Sequence, residues 1–439
     1  MVDLVRPLCR SGGLERDVTP RRRFWHVAGA GAAFQAGSSA VDSATVMSAL
    51  VHQLTGSPIA VGAVPTILRL GWLLPQIVVG YLAGKSGSSM PFYVLGAFGR
   101  TFAIAALAAI LWLGGTAAWS FAALGTVTLV FWAVYAGLSG IVGVPYNDIV
   151  ARSVPSELRS RMLAVRFFGG GVAALGVAAV ADRLVRTLEM PLSYAAVLGL
   201  ASALMLVSSI VFVSMGEPQR IAPVKASTSF LAYLSEGRQV FRDDPVFRRF
   251  VFAQWAGGAV LIAAPFYIVA ASEIGIGLEN VALLLAAQTA GALAANPLWG
   301  WWGDRLGKLS LMRGIAFARS VPPLALLGLL AMPMAEETRL TLLAAIFFVL
   351  GAIANGLTIA VIGLLMEISP DDRRPAYSGY FNALTAPAFV LPLIGGVLVA
   401  VGGIAAVFVV SFGAALMQIA ALRNMKLNES DIRKETEKK

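Results

Sequence analysis

The sequence predicts an all-α membrane protein with twelve transmembrane helices in two six-helix bundles. Three observations carry this. Apolar stretches long enough to cross a bilayer follow one another along nearly the whole chain, which is 58% hydrophobic and 13% charged; a hydrocarbon core about 30 Å thick needs about 20 such residues per helix. Basic residues fall almost entirely in alternate links between these stretches. The second half repeats local phrases of the first in the same order.

In order, the first-half helices are expected near 25–52, 58–83, 91–113, 119–150, 161–184 and 192–215, each apolar run closing at Gly, Pro or charged residues. Those of the second half are expected near 250–273, 280–302, 310–333, 339–367, 376–400 and 403–423. The domain plan is a cytoplasmic segment 1–24, a bundle 25–215, a cytoplasmic link 216–249, a second bundle 250–423 and a tail 424–439. The link carries Glu217, Arg220, Lys225, Glu236, Arg238, Arg242, Asp243 and Asp244, which suits a solvated amphipathic connector. Pro387 and Pro392 remove backbone donors from helix 11 and predict a bend.

Charge placement orients the chain. Arg21 to Arg23, Lys85, Arg152, Arg159, Arg161, Arg305, Lys308, Arg313, Arg373, Arg374 and the Lys-rich tail share one side, and the other receives Arg183, Arg186 and Arg339. The positive-inside rule then makes both termini and the central link cytoplasmic in a multi-pass protein of the cytoplasmic membrane. A net charge of +10 placed in this way follows topology and does not point to nucleic acid. One cysteine and two histidines exclude a disulfide framework and make a metal centre or other cofactor unexpected. No link is long enough for a soluble catalytic domain, and no cluster of His, Asp or Glu suits an integral-membrane enzyme.

The internal repeat is visible residue by residue. Gly84-Lys85-Ser86-Gly87 after helix 2 matches Asp304-Arg305-Leu306-Gly307 after helix 8; Arg100 in helix 3 matches Arg319 in helix 9; Pro155 to Arg159 matches Pro370 to Arg374. Gly300-x-x-x-Asp304-Arg305-x-Gly307-Lys308, with the six-plus-six layout, resembles the major facilitator superfamily of secondary transporters over about residues 24–424. The resemblance implies alternating access without ATP, a small-molecule substrate, lipid surroundings and a monomer. It also implies a latch in which Asp304, with Arg305, Gly307 and Lys308, meets the start of helix 5 near Glu157 to Arg161. Gly84 replaces the acidic residue in the first-half copy, so the latch there is weak or differently built.

Charges inside the hydrocarbon are expensive and mark candidate sites. Reflecting residues across the turns places Asp42 opposite Arg69 and Asp148 opposite Arg166. The first pair is either a proton-coupling switch or a fixed ion pair; the second is expected to be a structural or gating contact. Arg100 and Arg319 are either architectural or contacts for an anionic solute. Gln35, Tyr135, Tyr267, Asn355 and Thr358, on helices that line the substrate path in the resembled family, are cavity candidates or helix-helix hydrogen bonders. Sparse fixed charge in that cavity favours efflux of an amphipathic or moderately hydrophobic solute, and Asp42, deep in helix 1, is the candidate that couples it to protons. The alternative is a non-transporting assembly factor or receptor on the same scaffold.

Overall fold

The computed structural model describes residues 19–43, 46–219, 229–264, 266–276 and 281–427. Most of the two termini, with Arg220, Lys225 and Pro265, lies outside these. Among the described residues the regular elements are all helices, and the chain divides into two compact units, Met1–Ser227 with Asp371–Ala383, and Thr228–Pro370 with Leu384–Lys439.

In the first unit the helices are α1 (Pro20–Ser39), α2 (Val46–Thr55), α3 (Pro58–Ser86), α4 (Met90–Thr116), α5 (Phe121–Ser153), α6 (Ser156–Thr187) and α7 (Leu192–Val213). α8 (Phe230–Asp243) is the helix of the central link. The second half then runs through α9 (Pro245–Val260), α10 (Phe266–Glu273), α11 (Val281–Ala294), α12 (Asn296–Arg305), α13 (Lys308–Ala318), α14 (Val321–Ala331), α15 (Glu336–Ile368), α16 (Arg374–Thr385) and α17 (Leu391–Arg423). α17 bends at Gly403, whose φ of +73° lies where side-chain-bearing residues rarely go.

Nine helical segments among the described residues are long and apolar enough to span a bilayer. The expected spans that miss that criterion are helices 1, 8 and 11, and all three are interrupted. Helix 1 stops at Ser39 because the hydroxyls of Ser38 and Ser39 bond the carbonyls of Gln35 and Ala36, while Ala40 and Val41 close i−3 bonds that tighten the last turn. Helix 8 breaks before Pro297, where the carbonyl of Ala292 accepts from Asn296 Nδ2 at 2.8 Å and Asn355 Nδ2 at 3.3 Å. Helix 11 turns to 3-10 geometry over Ala386–Val390, around Pro387.

The two halves pack their helices in the same scheme. α3 and α4 both lie on α5, and α4 also lies on α7; correspondingly, α11 and α13 lie on α15, and α13 also lies on α17. α1 rests on α6 and α7 as α9 rests on α17. Even single bonds repeat: Ser208 Oγ donates to Ala30 O at 2.6 Å, and Ser411 Oγ to Val260 O at 2.8 Å.

Close approach at the repeated crossings is made by glycine. A Cβ on Gly140 would stand 2.5 Å from Gly71 O, and one on Gly351 would stand 1.7 Å from Gln288 O beside Gly291. In lipid, where burial of apolar surface no longer drives association, such backbone proximity is what holds helices together. Outward faces are correspondingly apolar, with Phe102, Leu113 and Val401 largely exposed.

Candidate functional site

The first helix of each half is discontinuous. α1 and α2 are separated by residues 40–45, and α9 and α10 by a 3-10 turn at Leu261–Ala263. Asp42 lies in the non-helical gap of helix 1 and is exposed there, with its carbonyl accepting from Met47 N at 3.0 Å. The sequence placed Asp42 within a continuous helix, so this is a correction; its cause is the serine pair that ends α1. Arg69 is an exposed residue of α3. Irregular backbone at membrane depth is tolerated where it lines a cavity or is buried in protein, and half-helix ends there gather ligands and coupling ions.

The cavity candidates divide. Tyr135 is buried in the first unit's apolar core, stacked on Trp132 at 5.0 Å between centroids, and Tyr267 is buried in the second unit's core against Phe347 and Phe408. Asn355 stitches the helix 8 break, and Thr358 bonds Ala354 O within its own helix. Gln35 differs: it is half-buried, packs on Gly170, and its Oε1 has no hydrogen-bond partner.

The expected Asp148–Arg166 ion pair is not formed. Asp148 bonds Arg152 at 2.7 Å and Ser89 Oγ at 2.6 Å, whereas Arg166 donates to the Tyr146 hydroxyl at 2.7 Å. Reflection across the turn sets depth but not the direction around the helix, and Asp148 points toward the start of α4.

Arg152 also reaches Glu217 at 2.5 Å, a residue the sequence reading left in solvent. The Glu217 carboxylate caps α4 by accepting from Ser88 Oγ at 2.5 Å and from the backbone of Ser89 and Met90 at 3.0 Å each. Burial opposes its charge, but the bonds from Ser88, Ser89 and Arg152 outweigh burial and hold its pKa below the ordinary carboxylate value. The signal available in sequence was Ser88-Ser89 directly before Met90-Pro91, an uncapped helix start awaiting an acid.

At the other motif loop, Lys308 Nζ reaches Asp304 at 3.3 Å and Gly303 O at 3.0 Å, and both side chains are buried. Gly307 turns the chain at φ +86°, as Gly87 does at +71° in the first-half copy. Arg305 is exposed.

Arg319 is buried and spends its donors on Gln418 Oε1 at 3.0 Å and Gly257 O at 2.6 Å, tying α13 to α17 and α9. Arg100, at the equivalent place, lies 3.8 Å over the Phe34 ring.

This helical arrangement is shared with solved membrane transporters. A bacterial homologue of the iron transporter ferroportin in its outward-facing state superposes with a TM-score of 0.72 at 16% identity, covering 92% of this chain and 99% of that one. A transporter named FucP, in its outward conformation, gives 0.70 at 16% identity over 92% and 99%. The human organic anion transporter MFSD10 gives 0.66 at 14% identity over 92% and 99%. At these identities the likeness is one of fold. Residues 250–438 match the family described as Major Facilitator Superfamily. That match covers the second bundle and less than half of the chain. No curated protein matches it in sequence. The Asp304 loop phrase is intact only in the half that the family match covers, with Gly84 in place of the acid in the other.

Proposed function

We propose that this protein is a secondary active transporter that moves a small organic solute across the cytoplasmic membrane by alternating access. Its twelve membrane crossings leave both termini in the cytoplasm, and it works as a monomer. The observation that carries this is the paired discontinuity of helices 1 and 7 within two units of like packing. Such interruptions are costly in lipid and are characteristic of solute and ion sites in carriers built from repeats. Families of this fold host many activities, so the site and not the fold bears the weight.

Asp42, in the gap of helix 1, is the proposed proton carrier, and Arg69 its modulating cation. A carboxylate whose solvent access and neighbouring charge change during the cycle changes its proton affinity. Proton entry then drives efflux, and the Asp304 loop serves as the conformational latch. In proteoliposomes with an imposed pH gradient, Asp42→Asn should abolish gradient-driven flux and leave solute exchange intact. Undiminished gradient-driven flux would remove Asp42 from the mechanism. Alternating access itself fails if spin-label distances at the cytoplasmic and external helix ends stay fixed across pH and candidate solutes.

A further inference from the structure

Arg100 and Arg319 hold the same place in the repeat, but only one of them has its donors satisfied. Arg319 donates to Gln418 Oε1 and to Gly257 O. Arg100 is 5% exposed, its Nε lacks any hydrogen-bond partner, and its guanidinium face lies on Phe34.

A second cation joins it. Arg166 crosses α1 at Gly31, where a Cβ would stand 2.5 Å from its Nε, and that Nε also lacks a partner. Gly31, Phe34 and Gln35 occupy one face of α1, at spacings of three and four residues. That face thus gathers Arg166, Arg100 and an amide with an unspent carbonyl. Arg100, Arg166 and Tyr146 all lie within electrostatic reach of the Tyr93 hydroxyl. Neither arginine forms an ion pair among the described residues, since the nearby carboxylate of Asp148 is held by Arg152 and Ser89.

A buried guanidinium beside a half-buried one, with no counter-ion, opposes folding, and cation-π contacts of about 0.5–2 kcal/mol each offset only part of that cost. A bound anion would remove the penalty. Guanidinium donors suit the two oxygens of a carboxylate, and Tyr146, having accepted from Arg166, still has its own proton to donate. Phe34 and Tyr93 beside the cations suit an apolar body. Arg166, Tyr146 and Gln35 are only half-buried, so the cluster has an open side.

We propose that Arg100 and Arg166 bind the carboxylate of a small amphipathic organic anion within the first unit, so that the solute carried is an organic acid. This rests on the transport reading but is tested without flux.

The full chain, purified in detergent, is titrated with benzoate and with benzamide, alike in shape and unlike in charge, and followed by thermal unfolding and calorimetry. Benzoate should bind and stabilise, and benzamide should not. Arg100→Met should weaken benzoate binding at least tenfold and raise the melting temperature of the ligand-free protein, because an unpaired buried charge has gone. Lys85→Gln, exposed in the last turn of α3, should change neither. Gly31→Ala, which displaces Arg166 without removing its charge, should also weaken benzoate and keeps the test decisive if Arg100→Met fails to fold. Equal responses to benzoate and benzamide, or full benzoate affinity in both variants, would overturn the site. A response confined to phosphatidylglycerol or inorganic phosphate, lost in Arg100→Met, would also overturn it by making it a lipid or phosphate site. Benzoate binding without any flux would sink the transporter reading and leave the site; flux of a neutral solute without benzoate binding would do the reverse.

Discussion

Replacing Glu217 by alanine should destabilise the first unit by about 3 kcal/mol. The carboxylate accepts four bonds, from Ser88 Oγ, Ser89 N, Met90 N and Arg152, and its side chain is 17% exposed. Each hydrogen bond to a charged group contributes about 1.5–3 kcal/mol, and charge at a helix N-terminus adds about 0.3–1. These do not sum, because Arg152 keeps Asp148 and the carbonyl of Pro218; about 3 kcal/mol sits at the lower end for breaking a buried pair. Glu217→Gln keeps the shape and loses the charge, so about half that cost is expected. The pH dependence has a definite sign. The native pKa lies below the ordinary value of 4.5, so the stabilisation is complete above that value and disappears as pH falls through the lowered native pKa. Denaturant unfolding of the detergent-solubilised protein from pH 7 to pH 3 should show wild type and Glu217→Gln converging only in acid. Equal stability of Glu217→Ala and wild type at pH 7, or a gap that persists in acid, would refute the clamp.

Two packing predictions accompany it. Gly351→Ala places a methyl group 1.7 Å from Gln288 O and should sharply reduce folded yield on size-exclusion chromatography, while Gly84→Ala, with nothing within 4 Å, should behave as wild type. Trp132→Phe deletes the donor to Val64 O at 2.8 Å in a fully buried setting and should cost about 1–3 kcal/mol in the same unfolding assay.

The sequence made the helical membrane fold and its duplication legible because both are written in composition and in phrases such as Gly84 to Gly87 and Asp304 to Gly307. Contacts that depend on direction around a helix axis were not legible. Asp148 and Arg166 have the depths expected of partners yet face different neighbours, α4 for one and α1 for the other. The break in helix 1 was hidden because Ser38-Ser39 reads as part of a continuous apolar run, and only the observed hydroxyl-to-carbonyl bonds reveal its end. Glu217 was assigned to solvent because a charge in a link usually is solvated; a cap recruited across more than a hundred residues leaves no local pattern. Tyr135 and Tyr267 illustrate the opposite error. Tyrosines at mid-depth were candidates for a cavity, but both rings fill apolar cores.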